Sequence, residues 1–276
     1  MLAFTFQGLP SRVVFGAGSL DRLPDEVARL DCTKALVLST PEQRATAEDA
    51  ARRLGDRAAG IYPEAVMHVP IEVARAARDA ARRTGADCCV AVGGGSTVGL
   101  GKAIALEFGL PIVAVPTTYA GSEMTPIWGL TEGAVKRTGR DIKVLPRTVI
   151  YDPLLTLTLP PAASATSGMN AIAHSVEALY AEDANPIVSL MAEESIAALA
   201  EALPVIVARP HDLEARARAQ YGCWLAGYAL GSVGMALHHK LCHTLGGTFN
   251  LPHAEVHTIV LPHAVAYNRA AVPDAM

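Results

Sequence analysis

Nine histidines occur in the chain, and four of them, His238, His239, His243 and His253, fall within the single stretch HHKLCHTLGGTFNLPH. His239 and His243 stand four apart, a spacing that puts two side chains on one face of a helix. His253 follows after a glycine-rich turn and Pro252. An earlier stretch, SGMNAIAH, repeats the spacing with Asn170 and His174. Two helical pairs and a loop imidazole can meet at one point, where they either bind a transition ion such as zinc or iron or move protons near neutral pH. A divalent site ordinarily includes a carboxylate or thiolate, and the partner of His174 is the neutral Asn170. A lone histidine on an apolar helix is more simply a packed core residue, which is the reading given to His68, His211 and His238.

A second set of residues could hold a phosphate. AVGGGST places Gly93, Gly94, Gly95 and Ser96 between an apolar strand and a helix start, where backbone N–H groups and the helix dipole favour an anion. The run is not GxGxxG, so it suits a pyrophosphate cradle or simply a tight turn. Thr117 and Thr118, in PTTYAGSE, end the next strand. Small hydroxyl residues at a strand's carboxyl end commonly line the ligand crevice of an open α/β sheet.

The elements that would carry these residues follow from patterning. Fully apolar runs such as KALVLST, DCCVAV and PIVAV alternate with Ala/Arg-rich helical segments, which predicts a parallel sheet covered on both faces. The arginines of IEVARAARDAARRTG read as a solvated helix face, closed by Gly85. From Ala162 to about Ala208, and again over 212–246, the texture is helical with no strand candidate. The expectation is an α/β dinucleotide-binding domain over residues 1–158, followed by an all-α domain over 159–276. The chain stops at Met276 inside what reads as continuing helical packing. At 276 residues, 51% hydrophobic, with a formal net charge of -4, the composition excludes a polyanion binder, and no apolar run reaches membrane-spanning length. Five cysteines, odd in number and set in apolar runs, predict buried thiols in a reducing compartment, the cytoplasm.

Taken in order, GGGS, PTTYAGSE, the lysine of GAVK, YDP, GMNAIAH and HKLCHTLGGTFNLPHAEVH resemble the iron-containing alcohol dehydrogenase family along the whole chain. That resemblance implies an active site in the cleft between a nucleotide-binding and a helical domain. Carried over by position, Gly93, Gly94, Gly95 and Ser96 would hold the pyrophosphate of NADH or NADPH. Thr117, Thr118 and Lys136 would line the rest of the dinucleotide site, with Tyr119 near the cofactor. Metal-dependent members use an Asp and three His, and the matching positions are Asn170, His174, His239 and His253, with His243 beside the reacting centre.

Three departures from the family pattern carry information. Asn170 replaces the acidic ligand, and Gly99 stands where many relatives have an aspartate. Both changes resemble the branch that reduces the C=C bond of 2-maleylacetate to 3-oxoadipate in aromatic-compound degradation, regarded as working without a catalytic metal. Ser39 occupies the place of the aspartate that reads the ribose 2'-hydroxyl in NAD-selective members, so a 2'-phosphate is not repelled. Thirdly, the family continues through several helices beyond Met276, so the chain reads as incomplete. On this reading His243 and His253 deliver protons and hydrogen bonds, His174 and His239 support them, and the partner is a small dicarboxylate. The resemblance also implies a homodimer joined through the N-terminal β-segment. The competing readings are a divalent-metal alcohol or polyol dehydrogenase, a carbon–oxygen lyase resembling 3-dehydroquinate synthase, and an inactive nucleotide-binding protein.

Overall fold

The computed structural model describes residues 3–133, 135–249 and 251–273. The chain forms two compact units: one comprises Pro10–Thr118 and Ser122–Thr156, the other the residues up to Leu9, Tyr119–Gly121 and the chain from Leu157 on.

The first unit is built on a parallel six-stranded sheet. Its strands are β1 (Arg12–Phe15), β2 (Ala35–Leu38), β3 (Ala58–Tyr62), β4 (Cys88–Gly93), β5 (Ile112–Pro116) and β8 (Thr148–Tyr151), in the order β1-β8-β5-β4-β2-β3. Alternate residues of β2 and β4 enter two different cores. Ala35, Val37, Cys88, Val90 and Val92 pack with Leu23, Val27, Ala47 and Leu54 of helices α1 (Leu23–Arg29) and α2 (Arg44–Leu54). Leu36, Leu38 and Cys89 pack instead with Ala74, Ala77, Leu100 and Ile104 of α3 (Ile71–Thr84) and α4 (Gly95–Phe108). Both faces are therefore covered, which is why these strands read as continuous apolar runs rather than alternating ones.

Helix α3 turns Ala74, Ala77, Ala80 and Ala81 inward and ends on Gly85, whose φ of 64° takes the left-handed C-terminal position. One of its arginines departs from the solvated face: Arg78 is half-buried and donates from Nε and Nη2 to the Ala103 carbonyl at 3.1 and 3.0 Å. An antiparallel hairpin, β6 (Ile127–Glu132) with β7 (Val135–Arg140), was not anticipated, because β7 after Val135 has no apolar side chain and lacks an apolar stripe.

The second unit contains α5 (Pro161–Leu179), α6 (Pro186–Ala208), α7 (Leu213–Ser232), α8 (Leu237–Phe249) and α9 (His253–Asn268). Starts are marked by proline in the first turn of α5 and α6. Asn185 and Asp212 cap α6 and α7, their side-chain oxygens accepting from Val188 N at 3.1 Å and Ala215 N at 3.0 Å. Leu199, Leu203, Ile206, Ala171, Cys223 and Ala226 form the core, and Tyr119 is fully buried among them. The Tyr119 hydroxyl accepts from Arg216 Nη1 at 3.2 Å. Arg216, itself fully buried, also donates to Ser164 Oγ and to the Leu159 and Pro210 carbonyls. Tyr119 is therefore a core residue of the helical unit.

Residues 3–11 carry no strand, and Leu9 N–H donates to the Tyr228 hydroxyl at 2.9 Å within the helical unit. All five cysteines are buried and free. Among the described residues no helix is long and apolar enough to cross a membrane.

Candidate active site

In the α/β unit the carboxyl ends of β2, β4 and β5 lie side by side. The turn after β4 must pass close to its neighbours. Gly93 has φ +153°, and a Cβ there would lie 2.4 Å from Thr97 Oγ1 and 2.7 Å from Gln43 Oε1; at Gly94 it would lie 2.9 Å from the Thr118 methyl. Only glycine fits, and the bare backbone opens onto the first N–H groups of α4, which have no carbonyl partner within the helix. The cradle therefore suits a pyrophosphate. Thr117 is tied to this turn, its N–H donating to the Gly93 carbonyl at 3.2 Å, and its hydroxyl accepts from Gln43 Nε2. Ser39 and Thr97 are buried here with hydroxyl oxygens that have no partner. Ser96 is half-buried in the first turn of α4, and Lys136 is exposed on β7.

At Gly99 a Cβ would meet Val69 Cγ2 at 2.9 Å, so Val69 occupies the room an aspartate would need. Val69 and His68 both adopt positive φ, 46° and 65°, unusual for residues with a side chain and costly for a β-branched one. Lys102, fully buried on α4, donates to the Ser122 and Ile127 carbonyls at 2.7 and 2.8 Å and to Thr125 Oγ1 at 2.9 Å. It thereby pins the segment that follows Gly121. Burial pulls this amine down to about 7, with Glu123 acting in the opposite sense.

In the helical unit the imidazoles converge. His174 comes from α5, His238, His239 and His243 from α8, and His253 and His257 from α9. His174 and His239 stack with centroids 5.0 Å apart, His239 lies 4.9 Å from His257, His257 4.4 Å from His253, and His253 stacks on His243 at 5.9 Å. His238 Nε2 and His257 Nδ1 share a hydrogen bond of 2.9 Å. The cluster is graded from inside to outside: His174, His238, His239 and His257 are buried, His253 is half-buried and His243 exposed.

Burial, followed by the fields of the other imidazoles, holds His174, His239 and His257 well below the ordinary histidine value. His238 is also lowered by burial, against a nearby Glu177. Burial and the neighbouring rings oppose protonation of the interior imidazoles, while His243 is the exposed edge of the cluster and His253 lies half-buried beside it. The segment Tyr119–Gly121 closes on this unit. Gly121 (φ +79°) and Gly227 of α7 abut so tightly that a Cβ on Gly227 would lie 2.4 Å from the Gly121 carbonyl oxygen, and the Gly121 Cβ position is 3.6 Å from His174 Nδ1.

At the positions matching the family's metal ligands the donor set is an amide and three imidazoles in place of an acid and three imidazoles. Asn170 brings no charge, and its Oδ1, His174 Nδ1 and His239 Nε2 are each buried without a partner. Among the described residues, the groupings of His, Cys, Asp or Glu donors within 4.8 Å of one another are His238–Cys242–His257 and Cys32–Asp87–Cys88; His174, His239 and His253 do not form one. His238 is committed to His257, and the Asp87 carboxylate to Thr33 and to Lys34 N–H.

The chain belongs to the iron-containing alcohol dehydrogenase family: residues 10–153 match the iron-containing alcohol dehydrogenase model, and residues 164–276 the Fe-containing alcohol dehydrogenase family, C-terminal, model. It is an oxidoreductase of that family. Among individual proteins it is 63% identical to maleylacetate reductase of Burkholderia cepacia, over all of this chain and 78% of that protein. It superposes on the crystal structures of maleylacetate reductase from Agrobacterium tumefaciens and from Rhizobium sp. strain MTP-10005 with TM-scores of 0.97 each. The identities are 56 and 55%, covering 100% of this chain and 79% of each of those.

Four residues of these two sites escaped the sequence reading. Gln43 reaches the glycine turn from the start of α2. Glu177 is three residues after His174 and so on the same helix face, but one carboxylate among apolar neighbours gave no signal. His257 follows His253 by four, the same spacing that marked the other pairs. His238, read as a core residue, is buried as expected and yet lies inside the cluster. Of the remaining histidines set aside, His211 is exposed on the surface and His68 is half-buried in its strained loop.

Proposed function

We propose that the chain reduces the C=C bond of 2-maleylacetate with NADH or NADPH, giving 3-oxoadipate in the degradation of aromatic compounds. The observation that carries this reading is the graded imidazole cluster with Asn170 in place of an acid, alongside close likeness to maleylacetate reductases. The substrate is an enone flanked by two carboxylates. A reduced nicotinamide held in the glycine cradle would supply a hydride, and addition at the carbon β to the ketone would leave an enolate. The protein must then stabilise the enolate oxygen and protonate the adjacent carbon. We assign hydrogen-bond donation and proton delivery to His243 and His253, which can be recharged from solvent, and support of these rings to His174 and His239.

Gly93, Gly94, Gly95, Ser96, Thr117 and Thr118 form the pyrophosphate and adjoining subsites, and Lys136 lines the same site. Ser39 leaves room for a 2'-phosphate. We take the reaction to proceed without a metal, on the ground that neither Asn170 nor the spread of the imidazoles suits a divalent ion. A cytoplasmic homodimer completes the proposal.

The test supplies purified protein with freshly prepared 2-maleylacetate and follows loss of reduced nicotinamide together with the product formed. Stoichiometric 3-oxoadipate is expected. Oxidation of NADH with simple aldehydes or ketones but not with 2-maleylacetate would favour the alcohol dehydrogenase reading.

A further inference from the structure

Glu177 is buried on α5, and its carboxylate faces the start of α8. Oε1 accepts from His238 N–H at 2.7 Å, and Oε2 accepts from Ala236 N–H at 3.2 Å and His239 N–H at 3.3 Å. Those are N–H groups at a helix start, which have no carbonyl partner within the helix, so a residue 59 to 62 positions away serves as the cap that the local sequence, Met235-Ala236-Leu237, does not provide. The same Oε2 is hydrogen-bonded to His239 Nδ1. A carboxylate oxygen can only accept, so this ring carries its proton on Nδ1 and turns a bare Nε2 inward, where it is buried with no partner. Tyr180 closes the other side: burial and then Glu177 push its hydroxyl up to about 12, and that hydroxyl accepts from Asn268 Nδ2 of α9 at 3.1 Å.

We infer that Glu177 is the positioning residue of the imidazole cluster: one carboxylate sets the first turn of the helix that carries His238, His239 and His243, and fixes His239 as the Nδ1–H tautomer. The consequence is a division of labour. With its proton held on Nδ1 by Glu177, His239 turns Nε2 inward as an acceptor, so donation to a developing enolate falls to His243 and His253. This assignment of roles rests on the function proposed above, whereas the tautomer does not.

The experiment uses the full chain labelled with ¹⁵N-histidine, the His239 signals being identified by their loss in His239→Gln. Imidazole nitrogen correlations report directly which nitrogen bears the proton. In the unsubstituted protein His239 is expected to show a protonated Nδ1 and an unprotonated Nε2. Glu177→Gln keeps an oxygen that can accept from Nδ1 and is expected to retain that pattern and most of the turnover. Glu177→Ala is expected to lose the single pattern and on the order of 10- to 100-fold in kcat, with the KM for NADH unchanged.

A proton on Nε2 of His239 in the unsubstituted chain overturns the inference, as does a Glu177→Ala protein with unaltered nitrogen signals. If Glu177→Ala does not fold, the unsubstituted and Glu177→Gln spectra still decide. If the chain does not reduce 2-maleylacetate, the proposed function fails while the tautomer result stands.

Discussion

The two units build their sites from different materials. The nucleotide cradle is made of backbone, its shape fixed by what is missing at Gly93 and Gly94, where a methyl group would fall within 3 Å of Thr97, Gln43 or Thr118. The imidazole cluster is made of side chains from three helices, tied together by the Glu177 carboxylate and by the hydrogen bond between His238 and His257, among other contacts. A backbone site is sensitive to any added atom and indifferent to protonation. A side-chain site of neutral buried bases is sensitive to both the acid that orders it and the pH around it.

The largest expected effect lies in the helical unit. His243→Ala should reduce kcat on 2-maleylacetate by on the order of 10²- to 10⁴-fold, the usual worth of a positioned general acid, with little change in NADH affinity. Steady-state kinetics with both substrates varied checks this, and unchanged turnover removes His243 from proton delivery.

Acid should act on the same unit next. The folded chain holds His174, His238, His239 and His257 below the ordinary value, so below about pH 6.5 the unfolded chain binds protons that the folded chain refuses. Stability is full above that pH and is lost as pH falls. Each ring held well below the ordinary value accounts for roughly 0.7 kcal/mol between pH 7 and 6, or about 2 kcal/mol for His174, His239 and His257 together, with His238 adding in the same direction. Denaturant unfolding at the two pH values measures it, and equal midpoints contradict buried neutral imidazoles.

Gly93→Ala sharpens the contrast from the other side: the KM for NADH should rise by at least about tenfold, equivalent to ~1.4 kcal/mol, with the His239 nitrogen signals untouched. A smaller effect is expected at the end of β2. Ser39→Asp should move the NADPH-to-NADH ratio of kcat/KM toward NADH, since a carboxylate there binds a 2'-hydroxyl and repels a 2'-phosphate.

What could be read from the sequence follows the same division. Strands buried on both faces and helices with alanine stripes declare themselves through periodicity, and GGGS announces its turn because glycine has a local reason to be there. The i,i+4 histidine pairs were visible for the same reason. Contacts between distant segments were not. Nothing near Glu177 tells that its carboxylate caps α8, and nothing near Tyr119 tells that its ring packs with α7 and its hydroxyl meets Arg216. The hairpin Ile127–Arg140 was invisible because its second strand has no buried face.

The central claim is that imidazoles and their protons, not a bound metal, polarise the substrate. The most direct measurement is NAD(P)H-dependent reduction of 2-maleylacetate by protein treated exhaustively with chelator, with and without added Zn(II) or Fe(II), alongside metal analysis of the same samples. Full turnover in metal-free protein, unaltered by either ion, is the predicted result. Activity that vanishes with the metal and returns with it would contradict the account and make Asn170 a ligand through its amide oxygen.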